Sequence, residues 1–267
     1  MYEAARDSFL DTVDVNGYVN IDRASMLFDA LLGSVAKPLK MVLLYGKPGT
    51  GKSMLLAKLH AKLLQTQKAL IYATPILDEN EFYKLLAQDL YGIEYDGELN
   101  FTQFIKIVRS KDLGDEPTPI VMLDEAQLYS PTAMEKIRLL SDTRNIKFVI
   151  SLHKTAEEDL IAKEHFQTRI WESFEMQNAS MEEISIYVQK KLIQNNLLDV
   201  VTMFNPSTIK LIHRLTDGNY RNTNKLLFCL FEICHLYEQT LPKRAFKGKI
   251  PLKMVEMAAL HTGFLND

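Results

Sequence analysis

From about residue 40 to 176, short apolar runs alternate with stretches of helical periodicity. The runs 41–45 (MVLLY), 69–73 (ALIYA), 119–123 (PIVML), 146–151 (IKFVIS) and 170–175 (IWESFE) read as strands. Strands alternating with helices predict a parallel α/β sheet. Helix starts are marked between them. Asp78 with Glu81 has capping-box spacing, and Ser130-Pro131 sets an N-cap before a proline in the first turn. Residues 22–35 read as one more helix ahead of the first strand. After about 177 the strands stop. Ser180 with Glu183 opens a helix to about 196, Asn205-Pro206 opens the next, and Asn219 starts a long one to about 239. Residues 250–261 read as a last short helix. The expected organisation is an α/β domain over 1–177 and a helical domain over 178–267, joined near 176–180. Loops 92–99 and 241–249 are expected to be the mobile ones.

Composition excludes some classes. With 267 residues, 47% hydrophobic and 24% charged, the chain can bury a sizeable core and is neither disordered nor collagen-like. Lys and Arg number 31 against 34 Asp and Glu, a net charge of −3 that advertises neither nucleic acid nor a membrane surface. The balance is uneven: residues 177–267 hold 11 basic against 8 acidic side chains. Cys229 and Cys234, five apart in a predicted helix, read as reduced core thiols rather than a bridge. No apolar signal region opens the chain, and no run approaches the ~20 apolar residues that span a bilayer. A cytoplasmic protein is expected.

Two motifs carry the chemistry. Gly46-Lys47-Pro48-Gly49-Thr50-Gly51-Lys52-Ser53 fits G-x-x-x-x-G-K-[ST], placed between a predicted strand and a predicted helix that continues through Met54. Glycines let backbone N–H groups turn inward around phosphate oxygens, and the helix N-terminus adds favourable charge. Lys52 would reach the β- and γ-phosphates of ATP, and the Ser53 hydroxyl would bind Mg²⁺. The second motif is Pro119–Glu125, an apolar strand ending in two carboxylates. Asp124 would hold Mg²⁺, and Glu125 would orient and deprotonate the attacking water. The structural alternative is that both acids merely cap the next helix.

With both motifs in place the chain resembles the AAA+ branch of P-loop ATPases. Within it, the likeness is to the general secretion pathway ATPase family of type II secretion, with the transposition-regulating ATPases as relatives. The segment Leu123–Asp142, with its Asp124-Glu-Ala-Gln127 start and Glu135…Arg138-Leu-Leu run, is similar to that family's second motif. The resemblance implies a three-layer P-loop NTPase core of AAA+ type followed by a helical lid. It gives His153 the place of a polar sensor, although this family usually has Gln before Pro there and the chain reads Ser151-Leu-His-Lys-Thr155. An ordinary loop histidine is the alternative.

Arg169 resembles an arginine finger offered to a neighbouring subunit; its alternative is a surface ion pair with Glu164 or Glu172. Gly218-Asn-Tyr-Arg221 resembles a Gly-x-x-Arg sensor. A positive charge in the first helical turn is locally unfavourable, which favours a phosphate partner for Arg221 over a purely structural role. Tyr18-Val19 match the region that packs on adenine, and are equally explained as core. The implied function is an ATP-driven, oligomeric switch or motor acting on a protein client, in secretion or pilus-type machinery. This chain ends without the transmembrane helix and cell-wall-binding region of membrane-bound relatives, which disfavours a direct link to the cell wall. A DNA-associated ATPase is the alternative. A nucleotide-sensing scaffold is third, disfavoured because a pure sensor needs no base such as Glu125. The basic cluster Lys243, Arg244, Lys247 and Lys249, with Lys253 beyond, is the candidate DNA contact, and a solvated loop is its preferred reading.

Overall fold

The computed structural model describes residues 1–155, 166, 168–240 and 248–265. In chain order its elements are α1 (Tyr2–Asp7), α2 (Asp22–Ala36), β1 (Met41–Gly46), α3 (Lys52–Leu63), β2 (Ala69–Tyr72), α4 (Glu79–Tyr91), α5 (Phe101–Ser110) and β3 (Ile120–Leu123). There follow α6 (Pro131–Asp142), β4 (Lys147–His153), β5 (Ile170–Met176), α7 (Met181–Gln194), α8 (Leu198–Val201), α9 (Pro206–Thr216), α10 (Tyr220–Thr240) and α11 (Leu252–Thr262). The predicted caps form. Ser130 accepts from Ala133 N at 3.0 Å with Pro131 in the first turn, and Asn205 accepts from Thr208 N at 2.9 Å. Ser180 and Glu183 reciprocate at 3.2 and 2.7 Å. Besides the one-turn α8, two helices were not legible as such. One is α5, capped by Asn100 and Gln103; the other is α1.

Contacts divide the chain into two compact units. The first is Met26–Lys47 with Lys52–Met176. Its five strands are all parallel, in the order β2-β3-β4-β1-β5. Alternation along β1 sorts the core into two layers. Met41 and Leu43 face Phe82, Leu86, Phe104 and Ile137 on one side. Val42 and Leu44 face Leu31, Leu55 and Leu59 on the other. Helices therefore cover both faces, which is why the central strands read as continuous apolar runs.

The second unit is Met1–Ser25, Pro48–Gly51 and Gln177–Asp267. The expected division at 177/178 put the first 25 residues with the sheet; by contacts they group with the helices. The reason is a small apolar face hidden in a charged stretch. Tyr2, Ala5 and Phe9 are buried at helical spacing, and Tyr2 and Phe9 stack on Phe231 of α10 at ring separations of 6.4 and 5.8 Å. Cys229 and Cys234 are free and buried in this core, and burial pushes the Cys234 thiol up to about 12. No helix among the described residues is long and apolar enough to cross a membrane.

Candidate nucleotide site

Parallel strands all end at one edge of the sheet, and open α/β sheets bind ligands at that carboxyl edge. In the sheet unit, β1 ends there on Gly46, which pairs in register with His153 at the end of β4. Leu123 ends β3, so Asp124 and Glu125 emerge from the same edge. Lys52 is buried at the start of α3. Its ammonium bends back over the loop's origin, donating to the carbonyls of Gly46 at 3.0 Å and Lys47 at 3.1 Å. Ser53 and Met54 follow half-buried in the first turn of α3; Lys47 and Pro48 are exposed and Thr50 is buried. Gly49 and Gly51 have φ of 78° and 98°, a left-handed backbone that explains glycine at both positions.

Asp124 is 2% exposed, and its Oδ1 accepts from the backbone N–H of Glu125 at 2.9 Å. Glu125 has φ 51° and ψ 38°. A non-glycine residue held there costs about 1–3 kcal/mol, and such strain gathers at functional sites. The turn aims the carboxylate along the edge: Glu125 Oε2 accepts from Gln127 Nε2, and His153 Nε2 lies 3.2 Å from the same oxygen. His153 N donates to Gln127 Oε1 at 3.3 Å. The structure thus brings Glu125 and His153 together, with Gln127 between them. Sequence reasoning gave Gln127 no role, because residues two apart do not meet on a regular helix. A 3₁₀ turn over Ala126–Leu128 brings them into contact here.

Arg169 is elsewhere. It precedes Ile170, which is in register with Met41 at the amino ends of the strands. Strands of six or seven residues put ~20 Å between the two edges. Arg169 reaches Asp142 at 3.3 and 3.4 Å and Thr168 Oγ1 at 2.6 Å. Of the two partners expected for it, Glu164 lies outside the described residues, and Glu172 takes a hydrogen bond from Lys37. Asp142 is the shared partner of three cations, since Lys40 reaches it at 2.6 Å and Arg138 at 2.8 Å. Burial pushes its carboxyl up, but the hydrogen bonds and charges of Lys40 and Arg169 outweigh that and hold it below its ordinary range.

In the helical unit, the loop tip Pro48–Gly51 meets the start of α10. Asn219 Nδ2 donates to Pro48 O at 2.7 Å, and Arg221 N donates to Gly49 O at 3.3 Å. A Cβ on Gly49 would lie 2.4 Å from Asn219 Oδ1, so the close approach also excludes a side chain there. Asn219 caps α10 as expected, accepting from Asn222 N at 3.2 Å. The Arg221 side chain pairs with Asp11 at 3.0 Å, a partner the sequence did not offer. Val19 is buried in the helical core and Tyr18 is half-buried, its carbonyl accepting from Gln194 at 3.3 Å. Of the basic cluster, Lys243, Arg244 and Lys247 lie outside the described residues. Lys249 donates to Thr202 O at 2.6 Å, and Lys253 is exposed.

Residues 37–160 match the family model described as an AAA domain. The chain has the AAA+ P-loop fold. A structure of Drosophila ORC bound to DNA superimposes on 96% of this chain with a TM-score of 0.70 at 15% identity. The chain spans 64% of the length of that ORC chain, less than two thirds. Cdc6p from Pyrobaculum aerophilum matches 86% of this chain and 66% of its own, with a TM-score of 0.64 at 17% identity. The Thermotoga maritima RuvB Holliday junction branch migration motor matches 95% and 72%, with a TM-score of 0.58 at 16% identity. At these identities the likeness is one of AAA+ fold. No curated protein sequence matches the chain significantly. These AAA+ neighbours bear on the P-loop ATPase part of the sequence resemblance and lend nothing to its secretion-family part.

Proposed function

We propose that this chain is a Mg²⁺-dependent ATPase that assembles with copies of itself and works on DNA. The observation that carries the ATPase reading is the convergence of Lys52, Asp124, Glu125 and His153 at one sheet edge around the start of the phosphate loop. Lys52 exchanges its loop carbonyls for the β- and γ-phosphates, with backbone N–H groups of 46–53 turned to the remaining oxygens. Ser53 and Asp124 fit a magnesium ion: they are hard oxygen donors, and the buried Asp124 carboxylate stands at the edge where phosphates would lie. When bound, the ion neutralises phosphate charge. Glu125 takes a proton from water as the water oxygen attacks the γ-phosphorus, and the bond to the β–γ bridging oxygen breaks to release ADP. His153 orients Glu125. Arg221 leaves Asp11 to bind phosphate, and Arg169 acts on the nucleotide of a neighbouring subunit.

The DNA part rests on the company the fold keeps. The Drosophila ORC structure and one of the Aeropyrum pernix ORC1 protein are bound to DNA, and RuvB is a Holliday junction motor. No comparable support attaches to a protein client in secretion or pilus machinery, so the order of preference drawn from sequence is reversed. The test is ATP turnover with and without duplex DNA, beside fluorescence anisotropy in an ATP analogue at several salt concentrations. DNA should stimulate turnover, and binding should weaken with salt by ~0.9 log units per neutralised phosphate for each decade. Turnover indifferent to DNA, with no binding at micromolar protein in low salt, would return the protein client to first place.

A further inference from the structure

Gln127 occupies a position that the proposed chemistry does not yet use. Its two partners decide the orientation of its amide. The Glu125 carboxylate is acceptor-only and must meet the NH₂ group; the His153 backbone N–H is donor-only and must meet the carbonyl oxygen. One side chain therefore ties the carboxylate to the end of β4. His153 adds a second tie, because its Nε2 can bond Oε2 only as an N–H donor. Both donors fall on the same oxygen of Glu125. Among the described residues no hydrogen bond is made to Oε1, which leaves that oxygen to take a water.

The turn beneath is stiff. Leu128 N donates to Glu125 O at 3.0 Å, and Ala126 and Tyr129 on either side are buried in the sheet's core. Glu125 cannot shift its backbone without disturbing that packing, so the aim of its carboxylate is left to side-chain contacts.

We propose that Gln127 is a positioning residue that clamps Oε2 of Glu125 to the end of β4 and so presents Oε1 to the attacking water. The inference rests on the reading of Glu125 as the base. It assigns Gln127 no contact with nucleotide.

The test is a double-mutant cycle on the full chain, with single-turnover hydrolysis at saturating Mg-ATP and binding of a fluorescent ATP analogue as separate readouts. Gln127→Met removes the donor at similar volume. It should slow turnover by ~10–10²-fold, the scale of one hydrogen bond to a charged group, with analogue affinity unchanged. In the Glu125→Gln background the same substitution should cost nothing further, because the group it positions is already gone. Gln127→Glu is the second variant. It keeps the acceptor for His153 N–H but sets a carboxylate against Glu125, and should be slower than wild type by at least as much.

Three outcomes overturn the clamp alone: wild-type turnover in both Gln127 variants, equal fold losses with and without the Glu125 carboxylate, or a loss confined to affinity. Wild-type turnover in Glu125→Gln by itself would instead remove the base, and the clamp with it.

Discussion

The two edges of the one parallel sheet carry opposite kinds of chemistry. At the carboxyl edge Asp124, Glu125 and His153 gather beside Lys52, with a left-handed glutamate and a buried ammonium turned onto loop carbonyls. At the amino edge Lys40, Arg138 and Arg169 surround a single carboxylate, Asp142. The first edge keeps its groups on strained or bent-back side chains that a ligand could engage. The second binds its cations to a carboxylate of its own. The difference follows from direction: with all strands parallel, every strand-to-helix turn falls at one edge, and every residue that precedes a strand falls at the other. Arg169 immediately precedes β5, so it lies ~20 Å from Glu125 at the other edge of its own sheet. A catalytic role for it is a role in a neighbour.

The largest effect that could break this comparison belongs to Arg169. An arginine finger contributes ~10³–10⁵ in rate, so Arg169→Ala should lose about that in steady-state turnover. Mixing it with Lys52→Ala protein should restore part of the activity, because an intact finger can then meet an intact loop. Failure to complement in demonstrably mixed oligomers would make Arg169 a plain partner of Asp142.

Nucleotide affinity should separate the edges next. Lys52→Ala removes charge-assisted hydrogen bonds at the carboxyl edge and should weaken ATP binding by ~10²-fold or more in calorimetry. Arg169→Ala in the monomer should leave that affinity unchanged. Equal affinities in the two variants would erase the distinction.

The smallest effect sharpens the amino edge. A carboxyl held below its ordinary value contributes stability that is present above its unfolded value of 3.8 and is lost as pH falls through the lower folded value. Asp142→Asn should therefore lower Tm by ~1–3 °C at pH 7, the scale of exposed ion pairs in a chain of this size. The gap should close below about pH 4 in scanning calorimetry. A gap of the same size at pH 3 would show that shape, not charge, makes Asp142 matter.

Much of the fold was legible because its signals are local. The five apolar runs became the five strands within one or two residues, and Ser130, Ser180 and Asn205 cap the helices they were expected to cap. The helix α5 was missed because its cap is built from two amides, Asn100 and Gln103, which look like loop residues in isolation. The N-terminal stretch groups by contact with the helices and not with the sheet, because three apolar residues among charges are a weak pattern until Phe231 supplies the surface they cover.

By itself, then, the sequence determined the phosphate loop, the acidic end of β3 and the parallel α/β order, because glycine conformational freedom, strand burial and cap chemistry act over a few residues. Only the tertiary structure decided which partners those residues meet. That Glu125 shares an oxygen between Gln127 and His153 depends on a left-handed turn next to the end of β4. That Arg169 answers to Asp142 depends on which residues precede neighbouring strands. The contact of Asn219 with the loop tip joins positions 171 residues apart. Contacts of that kind are set by strand order and packing, and no spacing along the chain encodes them.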